Sequence, residues 1–297
     1  MTILVTGGAG RLGTIVVETL VGQGFSVSVF DIPQANFEQF SKYSDSQVSI
    51  LEGDITDYME VRKALKEVDG VIHLASLLPP KSEENRDLTM RINVEGTQNI
   101  VRAMNESDPN IPLIFSSSVS VYGETFKDKP PISEDHALVS LDVYSESKIL
   151  AENVVKESAV PYVILRISGI ALPQPVELPG VLPFKPDQRV EFVSIEDIAK
   201  VIANALRSKE GHHQVFNIAG GESWQITGEE YVQKLYQAMH SRYGGKYPLD
   251  YGWMDWYDTE KARKFLDFSP IDFDDFLWNL EMKSRDPNTP RYQIAIT

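Results

Sequence analysis

The apolar positions of this chain change period in a regular order. Thr2-Ile3-Leu4-Val5-Thr6 is a short β-branched run that predicts a strand, and Gly7-Gly8-Ala9-Gly10-Arg11-Leu12-Gly13 follows it directly as a tight turn. From Leu12 to Leu20 the apolar residues return at helical spacing, and Phe25 to Phe30 predicts a second strand that stops at Asp31. The unit is β-α-β. Further strands are predicted at 48–51, 70–74, 112–115 and 161–165, separated by helices at 57–67, 84–104 and 143–158. Residues 171–187 are dense in proline without a period, and a loop of that length is expected to act as a lid over the substrate. A helix at 196–206, a strand at 215–218, a helix at 227–242, an irregular aromatic stretch at 243–256 and short helices at 258–266 and 272–281 complete the pattern. The tail from Arg285 is expected to be loosely held.

The opening unit has the order a dinucleotide requires. Gly7 allows the backbone to turn off the strand, Gly10 allows it to approach a pyrophosphate, and Gly13 allows the helix to pack close to the sheet. The helix N-terminus then offers its unpaired N–H groups to the phosphates. Asp31 sits where a carboxylate accepts hydrogen bonds from the adenosine ribose; it repels a 2′-phosphate, so NAD is expected over NADP. Arg11 reads two ways, as a solvated helix-start residue or as a phosphate contact that partly restores NADP binding. Asp54 and Ile55 follow the third strand and are expected to flank the adenine, although Asp54 and Asp57 also stand where a helix N-cap would. Ala75-Ser76 closes the fourth strand with small residues that let a cofactor lie against the backbone.

Tyr144 and Lys148 lie four apart on a predicted helix and share a face. A nearby ammonium favours the phenolate, and bringing a tyrosine from its usual value near 10 to about 7 takes roughly 4 kcal/mol. Tyr144 is then expected to serve as acid or base, with Lys148 also holding the nicotinamide ribose. Ser118, at the end of the fifth strand, can hold the same substrate oxygen. Ser116 and Ser117 compete for that role. Tyr257 and Lys261 repeat the spacing with no serine-bearing strand before them, and no chemistry is expected there.

Composition narrows the classes. At 297 residues, with 42% hydrophobic and 24% charged residues, the chain is expected to form one large α/β domain or a domain with a smaller appendage. A net charge of −15 argues against a nucleic-acid partner. There are no cysteines, and the five histidines lack ligand spacing, so no metal site is expected. Neither a signal peptide nor a membrane span is predicted, and a cytoplasmic protein acting on a small-molecule substrate is expected.

Taken together, Thr6 to Gly13, Asp54-Ile55, His73-Leu74-Ala75-Ser76, Asn93-Val94-Glu95-Gly96-Thr97, Ser116 to Gly123 and Tyr144-Ser-Glu-Ser-Lys148 resemble the extended short-chain dehydrogenase/reductases. Within them the NAD-dependent epimerase/dehydratase family is closest. The resemblance implies a Rossmann-type doubly wound parallel sheet in residues 1–167. It also implies a small C-terminal α/β substrate domain in residues 168–297, with about 190–218 returning to the Rossmann core. It makes Ser118, Tyr144 and Lys148 the catalytic set. Cofactor contacts are expected from Gly7, Gly10, Arg11, Leu12, Gly13, Asp31, Asp54, Ile55, Leu74, Ala75, Ser76, Asn93, Ser116, Tyr144 and Lys148. It further implies a homodimer through the long helix after the fourth strand and the Tyr-Lys helix.

Two departures from such relatives concern the substrate. Arg166-Ile167-Ser168-Gly169-Ile170 lacks the asparagine usual after the sixth strand of nucleotide-sugar enzymes, and Val190 stands in place of their arginine, with Arg189 one residue off. The expected activity is NAD-dependent oxidation or epimerisation at a hydroxyl-bearing carbon of a sugar or sugar-like substrate. The alternatives are a simple dehydrogenase of a small alcohol, hydroxy acid or free sugar, and an NAD-sensing regulatory protein without turnover.

Overall fold

β1 (Thr2–Thr6) is buried from Ile3 onward, as befits a strand covered on both faces, and it pairs in parallel with two neighbours. These are β2 (Ser26–Asp31) and β4 (Gly70–His73), with β3 (Val48–Glu52) lying outside β2. β5 (Leu113–Ser118), β6 (Tyr162–Ile167) and β7 (Gln214–Ile218) extend the other side, giving the order β7-β6-β5-β4-β1-β2-β3. The chain leaves β3 at one edge and re-enters beside β1 at β4. That reversal opens a crevice at the C-terminal ends of β1 and β4, where doubly wound folds bind ligands. This computed structural model describes residues 1–286 and residues 289, 292 and 293.

Helices cover both faces of the sheet. α1 (Arg11–Gly22) buries Gly13, Val16, Val17 and Leu20 at helical spacing. With α7 (Ile195–Ala205) and α9 (Glu260–Leu266) it closes one core around Ile3, Val5, Ile72 and Phe216. α2 (Tyr58–Ala64), α5 (Gly96–Ser107) and α6 (Val143–Lys156) close the other around Leu4, Val71, Leu113 and Ile164. β7 and α7 therefore belong to the Rossmann layers although they follow the proline-rich stretch. A separate core holds Phe184, Phe192, Trp224, Tyr231, Phe273 and Phe276, from short extended segments, α8 (Gly228–Ala238) and α10 (Phe273–Ser284). Residues Gly169–Ala171 pair with Phe192–Ser194, and Arg189–Val190 with Ile226–Thr227, in short two-stranded ribbons of this lobe.

Several elements differ from the sequence reading. The helix expected over 84–104 is three pieces: α3 (Lys81–Glu84), α4 (Arg86–Met90) and α5, with a π turn at Arg91–Glu95 joining the last two. Asn85 ends the first piece and caps the second, its Oδ1 accepting from Leu88 N at 3.0 Å. The fifth strand runs on through Ser118. α8 stops at Ala238 because His240 adopts a left-handed φ of 50°.

The stretch 171–187, expected as a lid over the substrate, is packed onto the second core, and its Leu172 also lines the cavity described below. Leu172, Val176, Leu178, Leu182 and Phe184 are buried in the second core. Its prolines break hydrogen-bonded regularity, but its apolar side chains anchor it. The tail from Arg285 lies for the most part outside the described residues. Among the described residues no helix is long and apolar enough to cross a membrane.

Candidate active site

A cavity of about 830 Å³ runs from the glycine turn after β1, past the ends of β4 and β5, to Tyr144 on α6. Gly7 has φ +67°, and a Cβ there would stand 2.7 Å from Ala75 N; the turn and the end of β4 touch backbone to backbone. A Cβ on Gly13 would lie 2.3 Å from Gly7 O, so the helix is seated directly on the turn. Gly10 differs. Nothing but Gly7 O, at 3.2 Å, would stand near a Cβ there, and Gly10 lines the cavity. It is also the N-cap of α1 without any side-chain cap, leaving the first-turn N–H groups to an incoming anion.

Asp31 holds the turn in shape. Its Oδ2 accepts from Ala9 N at 3.0 Å and its Oδ1 from Ile32 N at 2.9 Å, and a carboxylate so engaged still has lone pairs for a diol. Asp54 shapes a turn through Thr56 N at 2.8 Å, while Asp57 is the true cap of α2, accepting from Met59 N and Glu60 N. Asp54 nonetheless lines the cavity, as does Ile55. Arg11, Leu12, Leu74, Ala75, Ser76 and Ser116 line it too. An uncapped helix start, a Cβ-free approach and a carboxylate at the end of β2 fit a dinucleotide. Among the described residues no cluster of acids and histidines suits a metal ion.

Asn93 is the exception among the residues read as cofactor contacts. It does not line the cavity. The π turn aims its amide at the loop after β4: Oδ1 accepts from Leu77 N at 2.7 Å, and Nδ2 donates to Leu77 O at 3.1 Å and Ser147 Oγ at 2.9 Å. The side chain pins that loop to α6. A second pin, legible in no motif, is Glu83, whose carboxylate accepts from Val143 N at 2.9 Å and Tyr144 N at 3.1 Å, the first N–H groups of α6. Between the two pins Leu77, Leu78 and Pro79 face the cavity, opposite Ile170 and Leu172 from the second lobe.

α6 presents Tyr144 and Lys148 to the cavity side by side, both buried. The serine run of β5 is resolved by its partners. Ser116 Oγ donates to His73 O at 3.2 Å and Ser117 Oγ to Glu152 Oε1 at 2.7 Å. Ser118 alone of the run works to lower the Tyr144 phenol, and its Oγ accepts from Ser120 N at 3.1 Å.

The electrostatics correct one expectation. In this structure burial pushes the Tyr144 phenol up rather than down, with Ser118 working in the opposite direction. The Lys148 ammonium is 5.7 Å from the centre of the Tyr144 ring and donates to Ser116 O at 2.9 Å. Burial pulls Lys148 itself down to about 7, against the attraction of Glu152.

His73, beneath the site, is a core histidine. Its Nδ1 is 2.7 Å from Thr6 Oγ1 and its Nε2 is 3.0 Å from Thr97 Oγ1. Because Thr97 Oγ1 donates to Asn93 O at 2.6 Å, it accepts from Nε2–H, and Thr6 donates to Nδ1. The neutral ring is fully satisfied, and burial, helped by Lys148, lowers its pKa to about 3. Folding therefore excludes a proton that the unfolded chain binds below its ordinary value of about 6.5. Stability present above that value is lost as pH falls toward 3. Denaturant titrations between pH 6 and 4 are expected to show a loss from this group of roughly 1.4 kcal/mol per pH unit, and a His73→Gln protein should lack that component of the slope.

The family model described as the 3-beta hydroxysteroid dehydrogenase/isomerase family matches residues 4–163. A sterol-4-alpha-carboxylate 3-dehydrogenase, decarboxylating, of Bos taurus is 30% identical over 241 residues, 76% of this chain and 65% of that protein. A UDP-glucose 4-epimerase of Lactobacillus helveticus is 34% identical over 178 residues, 58% of this chain and 52% of its own. The chain thus spans less than two thirds of either relative. The crystal structure of a UDP-glucose 4-epimerase of Thermus thermophilus in complex with NAD superposes with a TM-score of 0.78 at 22% identity, covering 97% of this chain and 100% of that one. It shares the fold.

Proposed function

The chain belongs to the 3-beta hydroxysteroid dehydrogenase/isomerase family of the extended short-chain dehydrogenase/reductases, and on that premise we propose that it is an NAD-dependent oxidoreductase or epimerase working on a hydroxyl-bearing carbon of a sugar-like substrate. The observation that carries this reading is the gathering of Ser118, Tyr144 and Lys148 on the wall of the same cavity as the glycine turn.

Gly10, Arg11, Leu12 and Gly13 would hold the pyrophosphate, Asp31 the adenosine ribose, and Asp54 and Ile55 the adenine. Lys148 would hold the nicotinamide ribose. When bound, NAD supplies the hydride acceptor and donor. Tyr144 takes the proton of the substrate hydroxyl or returns it, and Ser118 fixes the same oxygen. The walls at Leu77, Leu78, Pro79, Ile170 and Leu172 exclude water from that oxygen, which strengthens both hydrogen bonds. Residues from 168 onward supply the far wall, as a substrate-binding region should. We also propose a homodimer through the outer faces of α5 and α6, where Leu150 stands 40% exposed, and a cytoplasmic location.

One observation favours the reading as a simple dehydrogenase of an uncharged alcohol or free sugar. Arg189 does not face the cavity. Its Nε donates to Asp255 Oδ1 at 2.5 Å and its Nη2 to the carbonyls of Thr125, Phe126 and Asp128. Arg11 and Lys148 are the cations on the cavity wall among the described residues, and both stand on the side assigned to the cofactor. A substrate diphosphate would find no counter-charge.

The test is a screen of the purified protein with NAD against alcohols, free sugars, sugar acids and UDP-sugars, following NADH absorbance and product stereochemistry. NADH accumulation with an uncharged substrate identifies the dehydrogenase. An inverted product without net NADH identifies the epimerase. Bound NAD with neither signal throughout the screen would count against both readings and favour a sensor.

A further inference from the structure

On the sheet-facing side of α6, Tyr144, Lys148 and Glu152 follow one another at four-residue steps, and all three are buried. The end of β5 meets them with consecutive serines. Ser118 lines the cavity with Tyr144, the Ser116 carbonyl takes Lys148 Nζ, and the Ser117 hydroxyl donates to Glu152 Oε1. Glu152 has no exposed surface. Arg166 of β6, 2% exposed, grips it with Nε on Oε1 at 2.9 Å and Nη2 on Oε2 at 2.7 Å. Lys156 Nζ reaches Oε2 at 2.8 Å from the outer side. Arg166 in turn is fixed by its Nη1, which donates to the Tyr122 hydroxyl and to Glu134 O, both at 3.0 Å.

A buried ion pair is a weak way to stabilise a fold, since apolar residues of the same volume often serve as well or better. Its place one helical turn from Lys148 gives it another use. An ammonium buried in this way loses its hydration and meets one carbonyl in exchange, a balance that favours shedding the proton. The groups that face Lys148 are Tyr144 and Glu152 from α6, His73 from β4, and the Ser116 carbonyl and Phe115 ring from β5. Tyr144 and His73 are both neutral near pH 7, by the directions of their shifts. Glu152 is held ionised: desolvation opposes this, but Arg166 and Lys156 prevail. It is thus the ionised carboxylate in the set.

We propose that Glu152, clamped by Arg166 and Ser117, is a positioning residue that keeps Lys148 charged and drawn onto the Ser116 carbonyl. The inference rests on the role given to Lys148 above, but its test needs neither cofactor nor substrate. Arg166 and Lys156 carry the opposite charge and hold the carboxylate directly, yet of these groups it is Glu152, one helical turn away, whose charge acts on Lys148.

The experiment is an NMR titration of the Lys148 side chain in the whole protein with labelled lysine, the signal assigned by its loss in Lys148→Met. Glu152→Gln should lower the Lys148 midpoint by about one pH unit, because the charged form loses its nearest anion. Glu152→Gln leaves Arg166 without its buried partner and can cost folding, so Glu152→Gln/Arg166→Met, which removes both charges, is the second arm. Its midpoint should also fall, by less. Ser117→Ala keeps the charge and should leave the midpoint within a few tenths of a unit. A midpoint unchanged or raised in the folded Glu152 variants overturns the proposal. NAD affinity of Lys148→Met is measured apart from this, and undiminished binding there would overturn the cofactor role of Lys148, a failure distinct from that of Glu152.

Discussion

Replacing Tyr144 by Phe is expected to reduce turnover of any substrate found in the screen by about 10²–10⁴-fold. The ring is buried at the start of α6, whose first N–H groups Glu83 holds, and Phe preserves that packing, so fold and cofactor cavity are retained. The phenol oxygen is what is lost. Among the described residues the other acids on the cavity wall are Asp31 and Asp54, both at the end assigned to the adenosine, so no group inherits the proton transfer. The pH dependence has a definite sign. Oxidation requires the ionised phenol, and burial pushes that group up. Oxidation is therefore expected to speed as pH rises and reduction to slow. Steady-state kinetics of Tyr144→Phe with NADH detection check the magnitude, and a variant retaining more than about a tenth of wild-type turnover would remove Tyr144 from the acid–base role.

What the sequence disclosed and what it concealed divide along a physical line. The glycine turn, Asp31 and the Tyr144–Lys148 step are local: a few residues of fixed spacing determine their own geometry, so they were legible. The choice of Ser118 came from the resemblance; what spacing could not show is that the Ser116 and Ser117 hydroxyls are given to His73 and Glu152. Glu83 meets α6 across sixty residues of sequence, and Arg166 meets Glu152 across fourteen. No periodicity encodes either pairing. Asn93 belongs to a motif that resemblance links to the cofactor, yet a π turn directs its amide to Leu77 instead. The anchoring of residues 171–187 was hidden for a different reason. Proline density reports lost backbone regularity and says nothing of burial, whereas the apolar residues from Leu172 to Phe184 carried the anchoring signal. The phenol shift was misjudged because helical spacing supplied the distance to Lys148 but not the dehydration, and dehydration is the larger effect.

Gly10→Ala and Gly13→Ala should separate cofactor approach from turn construction, although both abolish tight NAD binding. At Gly13 an added Cβ would lie 2.3 Å from Gly7 O and 2.6 Å from Gly8 Cα. These are backbone atoms of the same turn, unable to rotate aside, so α1 must lift from β1 at a cost of about 1–3 kcal/mol or more. That variant should melt several degrees lower and lose NAD. Gly10 has φ −70° and ψ 171°, a region alanine adopts freely, and its Cβ would meet only Gly7 O at 3.2 Å. The fold should survive with its melting temperature nearly unchanged. The methyl group nonetheless projects into the space where the pyrophosphate must approach the first-turn N–H groups, and a displaced anion loses those charge-assisted bonds. An affinity loss of at least about tenfold, or roughly 1.4 kcal/mol, is expected in calorimetric NAD titrations of Gly10→Ala. Wild-type NAD affinity in that folded variant would mean that the turn after β1 does not carry the phosphates.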